Sequence, residues 1–178
     1  MQLSATQELA FFPALLELAP GETRRIRVAA LNPSIATERS YRLFVNELPA
    51  PDAERGGAVR VLTRLGVPVF QQPDKPHAKP LLVVRAEHSR LYIALQNKGN
   101  SYFLARSLHV VGRARSGTAS VEQDLAVWYV LAQGQRLHEL PLSEQVCREL
   151  VEVTLTAKTD HGDIQSTYKM PANACVPN

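Results

Sequence analysis

The chain has 178 residues, 45% of them hydrophobic and 21% charged, with a net charge of +3 and a pI near 9.0. That hydrophobic fraction supports a packed core and excludes a disordered chain, while the length allows one large or two small domains. The basic residues are scattered, as in "GETRRIRV", "GRARSG" and "NKGN", without the long runs or interleaved aromatics of a nucleic-acid platform. No apolar stretch is long enough to read as a membrane span. The start, "MQLSATQELAFF", has neither the basic nor the apolar region of a signal peptide.

In chain order, "FFPALLEL" (11–18) is a short apolar segment ended by the turn "APGE". "TRRIRVAAL" (23–31) alternates, with Ile26, Val28 and Ala30 on one face and Arg25 and Arg27 on the other, a two-residue period that predicts a strand. "ERSYRLFVNELP" (38–49) places Tyr41, Leu43 and Val45 on one parity, with Phe44 breaking the alternation. "AVRVLTRLGVPVF" (58–70) is the longest strand-like run; Val59, Val61, Thr63, Leu65, Val67 and Val69 share one parity. "QQPDKPHAKP" (71–80) has three prolines and no apolar period, so it reads as a linker or hinge. The expected layout is a partial domain over 1–72, a proline-rich hinge over 73–80 and a second domain over 81–178.

Beyond the hinge, "KPLLVVRAE", "RLYIALQN", "YFLARSLHVVGR", "SVEQDLAVWYVLA", "QRLHELPL" and "LVEVTLTAKT" read as strands. "NKGNS", "RSGT", "AQGQ" and "TDHGD" read as turns, with glycine or asparagine where a positive φ is tolerated. "PLSEQVCRELVEV" reads as a turn followed by a strand, although Leu142, Val146 and Leu150 sit four apart as on a helix. Short strands with regular turns predict an all-β fold of two immunoglobulin-like sandwiches. The first half supplies roughly four strands where such a sandwich needs about seven. Either a partner covers the exposed faces, or the start of the domain and a signal peptide are encoded upstream of Met1.

Signals for catalysis are weak. His77, His88, His109, His138 and His161 stand far apart, without metal-ligand spacing. Ser116 lacks the frame of a nucleophile elbow, and no glycine-rich phosphate loop is present. Asp160, His161 and Asp163 in "TDHGD" read as a polar turn rather than a converging site. Cys147 and Cys175 lack the spacing of a metal or redox motif; they are either one disulfide pinning the C-terminal tail or two unpaired buried thiols.

Several motifs resemble one family. "LAPGETRRIRV" resembles the proline-glycine turn and following strand of periplasmic pilus chaperones of the PapD-like family. "ERSYRLFVNELP" resembles that family's strand signature, and "VRVLTRLGVPVFQQP" the long last strand of its first domain. "LYIALQNKGNSYF" is similar to its N-x-G-N turn, and "VWYVLAQGQRLHELPL" to a string found in the archaic or spore-coat-type branch. "TDHGD" is similar to the family's N-D-Y-G turn, departing from it at Thr159 and His161.

The resemblance implies two immunoglobulin-like domains set at an angle, no catalysis, no cofactor and a periplasmic location. It implies pilus, fimbrial or coat subunits and an outer-membrane usher as partners. The implied activity is donor-strand complementation, in which alternate apolar side chains of the long strand fill the open core of an incomplete subunit. On this chain the donors would be Val59, Val61, Thr63 and Leu65, with Val67 as a further one. The same side chains could instead fill this domain's own core, since one face of any strand must do so. Glu38 would belong to a structural charge cluster, with Arg42 as its arginine. The family anchors a subunit's C-terminal carboxylate on two basic residues. The place of the one on this strand falls on Pro68, and Arg64 is the nearest basic substitute.

Two other classes compete with a chaperone. An immunoglobulin-like adhesin or pilus subunit should carry an alternating apolar N-terminal extension, and "MQLSATQELAFF" is a poor one. A small enzyme on a β-sandwich needs a converging polar constellation, which the sequence does not supply.

Overall fold

The computed structural model describes residues 3–49 and 61–175 and is all-β apart from one short helix. The chain forms two compact units, Met1–Asp74 and Lys75–Asn178.

In the first unit, β1 (Leu9–Phe12) pairs antiparallel with β2 (Arg27–Ala30), and β3 (Arg39–Asn46) pairs antiparallel with β4 (Arg64–Gln71). The predicted strand over 58–70 therefore starts only at Arg64 among the described residues. The reason lies in its partner. β3 ends at Asn46, and Pro49, which has no N–H, follows shortly after. The amide of Glu47 donates to the carbonyl of Thr63 at 2.8 Å, the amide of Thr63 donates to Glu47 Oε2 at 3.0 Å, and the ladder stops there. Val61 and Leu62 have no strand opposite them.

The second unit contains β5 (Pro80–Glu87), β6 (Arg90–Asn97), β7 (Phe103–Ala114), β8 (Ala119–Leu125), β9 (Tyr129–Val130), β10 (Gln135–Pro141), α1 (Glu144–Glu149), β11 (Leu150–Thr159) and β12 (Gly162–Lys169). Its two antiparallel sheets run β10-β6-β5 and β12-β11-β7-β8, with β9 also on β7. Alternation builds the sandwich. Leu91, Ile93 and Leu95 of β6 face Leu108 and Val110 of β7 and Val153 and Leu155 of β11, and all are fully enclosed. The amide of Ala86 donates to the Tyr168 hydroxyl at 3.2 Å, linking one sheet to the other.

Three local expectations change. The predicted continuous strand over 120–132 breaks into β8 and β9, because the chain leaves the ladder at 126–128. The predicted turn-then-strand at 141–153 holds a helical turn, α1, before β11. Ser143 caps it by accepting from the Val146 amide at 3.3 Å, with Glu144 in its first turn and Arg148 in its last. The segment before Pro80 is tied into the second unit: the His77 carbonyl accepts from the amides of Asn100 and Ser101, and Asn100 Oδ1 accepts from the His77 amide at 2.8 Å.

Asn97 explains the "NKGN" turn. It is fully buried and uses all four hydrogen-bonding positions of its amide. Its Nδ2 donates to the carbonyls of Ser101 and Val130, and its Oδ1 accepts from the amides of Gly99 and Lys79. Gly99 is required by space, since a Cβ there would lie 2.2 Å from the His77 carbonyl oxygen.

Candidate functional site

The two units treat their apolar side chains differently. Apart from Pro73, every buried apolar residue among those described lies at or beyond Leu82. Among its described residues the first unit buries no other apolar side chain, and instead exposes Phe11, Phe12, Leu15, Leu18, Leu31 and Leu48 by half or more. Exposed apolar surface on this scale marks a surface meant to be covered.

The register of β3 against β4 organises that surface. Tyr41, Leu43 and Val45 stand opposite Val69, Val67 and Leu65, so the six side chains share one face of the hairpin. The β3 members are half-buried, whereas Leu65 and Val67 are 57% and 45% exposed. Val61, before the strand, is 84% exposed. Thr63, on the same parity, is exposed as well. Val59 lies outside the described residues. No described strand pairs with the second edge of β4.

Arg64 points to the opposite face, with its guanidinium 4.1 Å from the centre of the Phe44 ring. Arg42 joins them there, donating to the carbonyl of Gly66 at 3.3 Å. A Cβ at Gly66 would lie 3.1 Å from the Arg42 side chain and 3.3 Å from Phe44, so the glycine makes room for this layer. Pro68 sits opposite Arg42 within the β3–β4 pairing.

Glu38 is buried at the start of β3. Sequence reasoning missed the charged group beside it. Arg39 forms an ion pair with Glu8, and the Tyr41 hydroxyl donates to Glu8 Oε2 at 3.0 Å, joining the two small sheets of the unit. Desolvation, then the hydrogen bond to Glu8, raises the Tyr41 pKa. No spacing rule connects residues so far apart in the chain.

Beside the β3–β4 hairpin lies an open cleft of about 960 Å³. Leu16, Leu18 and Ile26 line one side, and Leu43, Val45 and Leu65 the other. Among the described residues, its charged lining residues are Glu17 and Glu47.

Elsewhere, "TDHGD" is the β11–β12 turn: Gly162 takes a φ of +101°, and Asp160 Oδ1 accepts from the Leu104 amide at 2.9 Å. Asp160 thus anchors a backbone, and the five histidines do not gather. Among the described residues no cluster of His, Cys, Asp and Glu is placed to hold a metal, and no helix is long and apolar enough to cross a membrane. Cys147 and Cys175 form a disulfide that ties α1 to the tail after β12.

Residues 2–77 match the model of a family described as pili and flagellar-assembly chaperone, PapD N-terminal domain. Over that stretch, which takes in the β3–β4 edge and the open cleft, the chain is similar to pilus-assembly chaperones. No curated protein matches the chain.

Proposed function

We propose that the chain is a periplasmic chaperone of the PapD-like family, in its archaic or spore-coat-type branch, that holds pilus, fimbrial or coat subunits by donor-strand complementation and passes them to an outer-membrane usher. The observation that carries this reading is the edge of β4 that no described strand pairs with, together with exposed apolar side chains of one parity, Val61 before the strand and Leu65 and Val67 on it. A subunit whose sandwich lacks its last strand offers the complement: an unpaired backbone edge and a row of apolar pockets. Main-chain hydrogen bonds would supply pairing, and side chains of one parity would enter the pockets. Val59, Val61, Thr63, Leu65 and Val67 are the donor set.

Arg64 serves as carboxylate anchor in this scheme. Its guanidinium lies against an aromatic face and keeps hydrogen-bonding capacity for a bidentate carboxylate. Glu38 and Arg42 serve to steady the hairpin. The two domains join at the proline-rich segment 73–80. The binding role needs neither catalysis nor a cofactor.

The open cleft favours a second reading, in which the chain is itself an incomplete pilus subunit or adhesin. Co-purification separates the two. A chaperone captures a tagged subunit lacking its last strand, and a peptide carrying the subunit's missing strand releases it. A subunit would instead bind such a donor peptide and capture nothing.

A further inference from the structure

The turn between β5 and β6 is not the one its residues would choose. The ladder runs to the Glu87–Arg90 pair, which leaves His88 and Ser89 as a two-residue turn with φ of +49° and +55°. Both sit in the left-handed region, where asparagine and glycine are the usual occupants and most other side chains are disfavoured. Such a pair persists where its surroundings hold it. Here the Ser89 amide donates to the Ala174 carbonyl, and the Leu142 amide donates to the Ser89 carbonyl, each at 2.9 Å. Leu142 precedes Ser143, the cap of α1; α1 carries Cys147, and Cys147 is bonded to Cys175, next to Ala174. Turn, tail and helix thus form a closed ring of contacts with one covalent link. We infer that this disulfide is a redox-operated latch: reducing it frees residues 171–175 and lets the His88–Ser89 turn leave the left-handed region, while the sandwich stays folded. The latch belongs to the second unit and is independent of subunit binding by the first.

Beyond the disulfide, 171–175 is tied to the rest of the unit through Ala174, whose side chain is enclosed and whose carbonyl meets Ser89. One net hydrogen bond and one buried methyl return less than the conformational entropy of holding that segment in place. Without the covalent link the tail therefore leaves. Ser89 then loses the partner of its amide, and the turn gains by opening the Glu87–Arg90 pair into a wider loop. The sandwich does not follow, because its enclosed bulk is Leu91, Ile93, Leu95, Phe103, Leu108 and Leu155, all on strands.

The step needs a dithiol as reductant. Cys147 is 2% exposed and Cys175 is half-buried, so the attacking thiolate reaches the Cys175 Sγ. A mixed disulfide forms there, the Cys147–Cys175 bond breaks, and Cys147 leaves as a thiolate that takes a proton from water. The second thiol of the reductant then displaces Cys175, which is protonated in turn. Two electrons pass to the cysteines, and the dithiol becomes a disulfide.

The test compares the oxidised, isotope-labelled full chain with the same chain in dithiothreitol and with the double variant Cys147→Ser, Cys175→Ser. On reduction the amide-to-α-proton couplings of His88 and Ser89 are expected to leave their left-handed values. The amide heteronuclear NOE of 171–175 is expected to fall to that of a free chain end, while the resonances of Ile93 and Leu155 stay dispersed. The double variant is expected to show the same pattern without dithiothreitol. Replacing the turn with His88→Asn and Ser89→Gly is expected to keep it ordered in the reduced chain. That change is also expected to raise the ratio of reduced to oxidised dithiothreitol at half-reduction by about tenfold, since an unstrained turn gains nothing on release. Unchanged couplings at both turn residues in the reduced chain would overturn the inference, as would an unchanged half-reduction ratio in the turn variant. Loss of dispersion at Ile93 and Leu155 on reduction would overturn it too, because the bond would then be a staple of the whole unit. None of these readouts involves a subunit, so failure here is distinguishable from failure of subunit capture.

Discussion

Replacing Val61 with aspartate is expected to weaken subunit capture by about a hundredfold or more, and replacing its neighbour Leu62 much less. The magnitude follows from exposure. Val61, Leu65 and Val67 are 84%, 57% and 45% exposed, so most of Val61 remains to be buried. Full burial of such a side chain contributes about 1.5–3 kcal/mol, which leaves about 1.3–2.5 kcal/mol for Val61. Aspartate forfeits that and must also be desolvated or protonated in an apolar pocket, a further cost of at least about 1–3 kcal/mol. A combined loss of about 3 kcal/mol is about two decades in Kd. Leu62, 46% exposed, is on the other parity and would face water once 61–65 pairs with a subunit. The assay is calorimetric titration of each variant with a subunit lacking its last strand, with circular dichroism to confirm the unchanged fold. An unchanged Kd for Val61→Asp would refute the reasoning. Equal losses for Val61→Asp and Leu62→Asp would refute it too, since they would mean a sticky surface without parity.

Other outcomes concern the second unit. Reduction of the Cys147–Cys175 disulfide, which closes a loop over a sequence separation of 28, is expected to cost about 3.5 kcal/mol by loop entropy, read as a lower guanidinium midpoint of that unit. A midpoint unchanged by reducing agent would show that the tail, with Ala174 in the core and its carbonyl on the Ser89 amide, is held without it. His138 has its Nε2 buried without a hydrogen-bond partner, and desolvation, then Arg136, holds its pKa below the ordinary 6.5. The unfolded chain therefore takes up a proton first: its share of stability is complete above pH 6.5 and declines as pH falls from there towards the folded-state pKa. His138→Leu is expected to flatten the fall in thermal midpoint between about pH 7 and about pH 5, and an identical slope in the variant would remove His138 as its source. Gly99→Ala places a methyl 2.2 Å from the His77 carbonyl oxygen and is expected to destabilise the unit by about 2 kcal/mol or more, measured by urea unfolding.

Much of the fold was legible in the chain because β-structure writes a two-residue period. The alternations at 90–97 and 150–159 became the fully enclosed faces of β6 and β11, and "NKGN" became a turn built on Asn97 and Gly99. Period alone misjudged residues 61–63, the described part of the run before Arg64. Its alternation continues unbroken, but a strand exists only where a partner lies opposite, and β3 ends too soon. The helix α1 was visible as a four-residue spacing, yet one turn is too short for periodicity to outweigh a strand reading. The Glu8–Arg39–Tyr41 group left no local trace, because it forms only when β1 and β3 are brought together.

By itself the amino-acid order determined an all-β chain with turns in place and a long alternating run of valines, since side-chain direction along an extended backbone is a local property. Which side of that run is open, whether Cys147 meets Cys175, and that Arg64 turns onto Phe44 were decided only by tertiary structure. Exposure and long-range pairing depend on which strands lie next to one another, and adjacency in space is not written in any single stretch of residues.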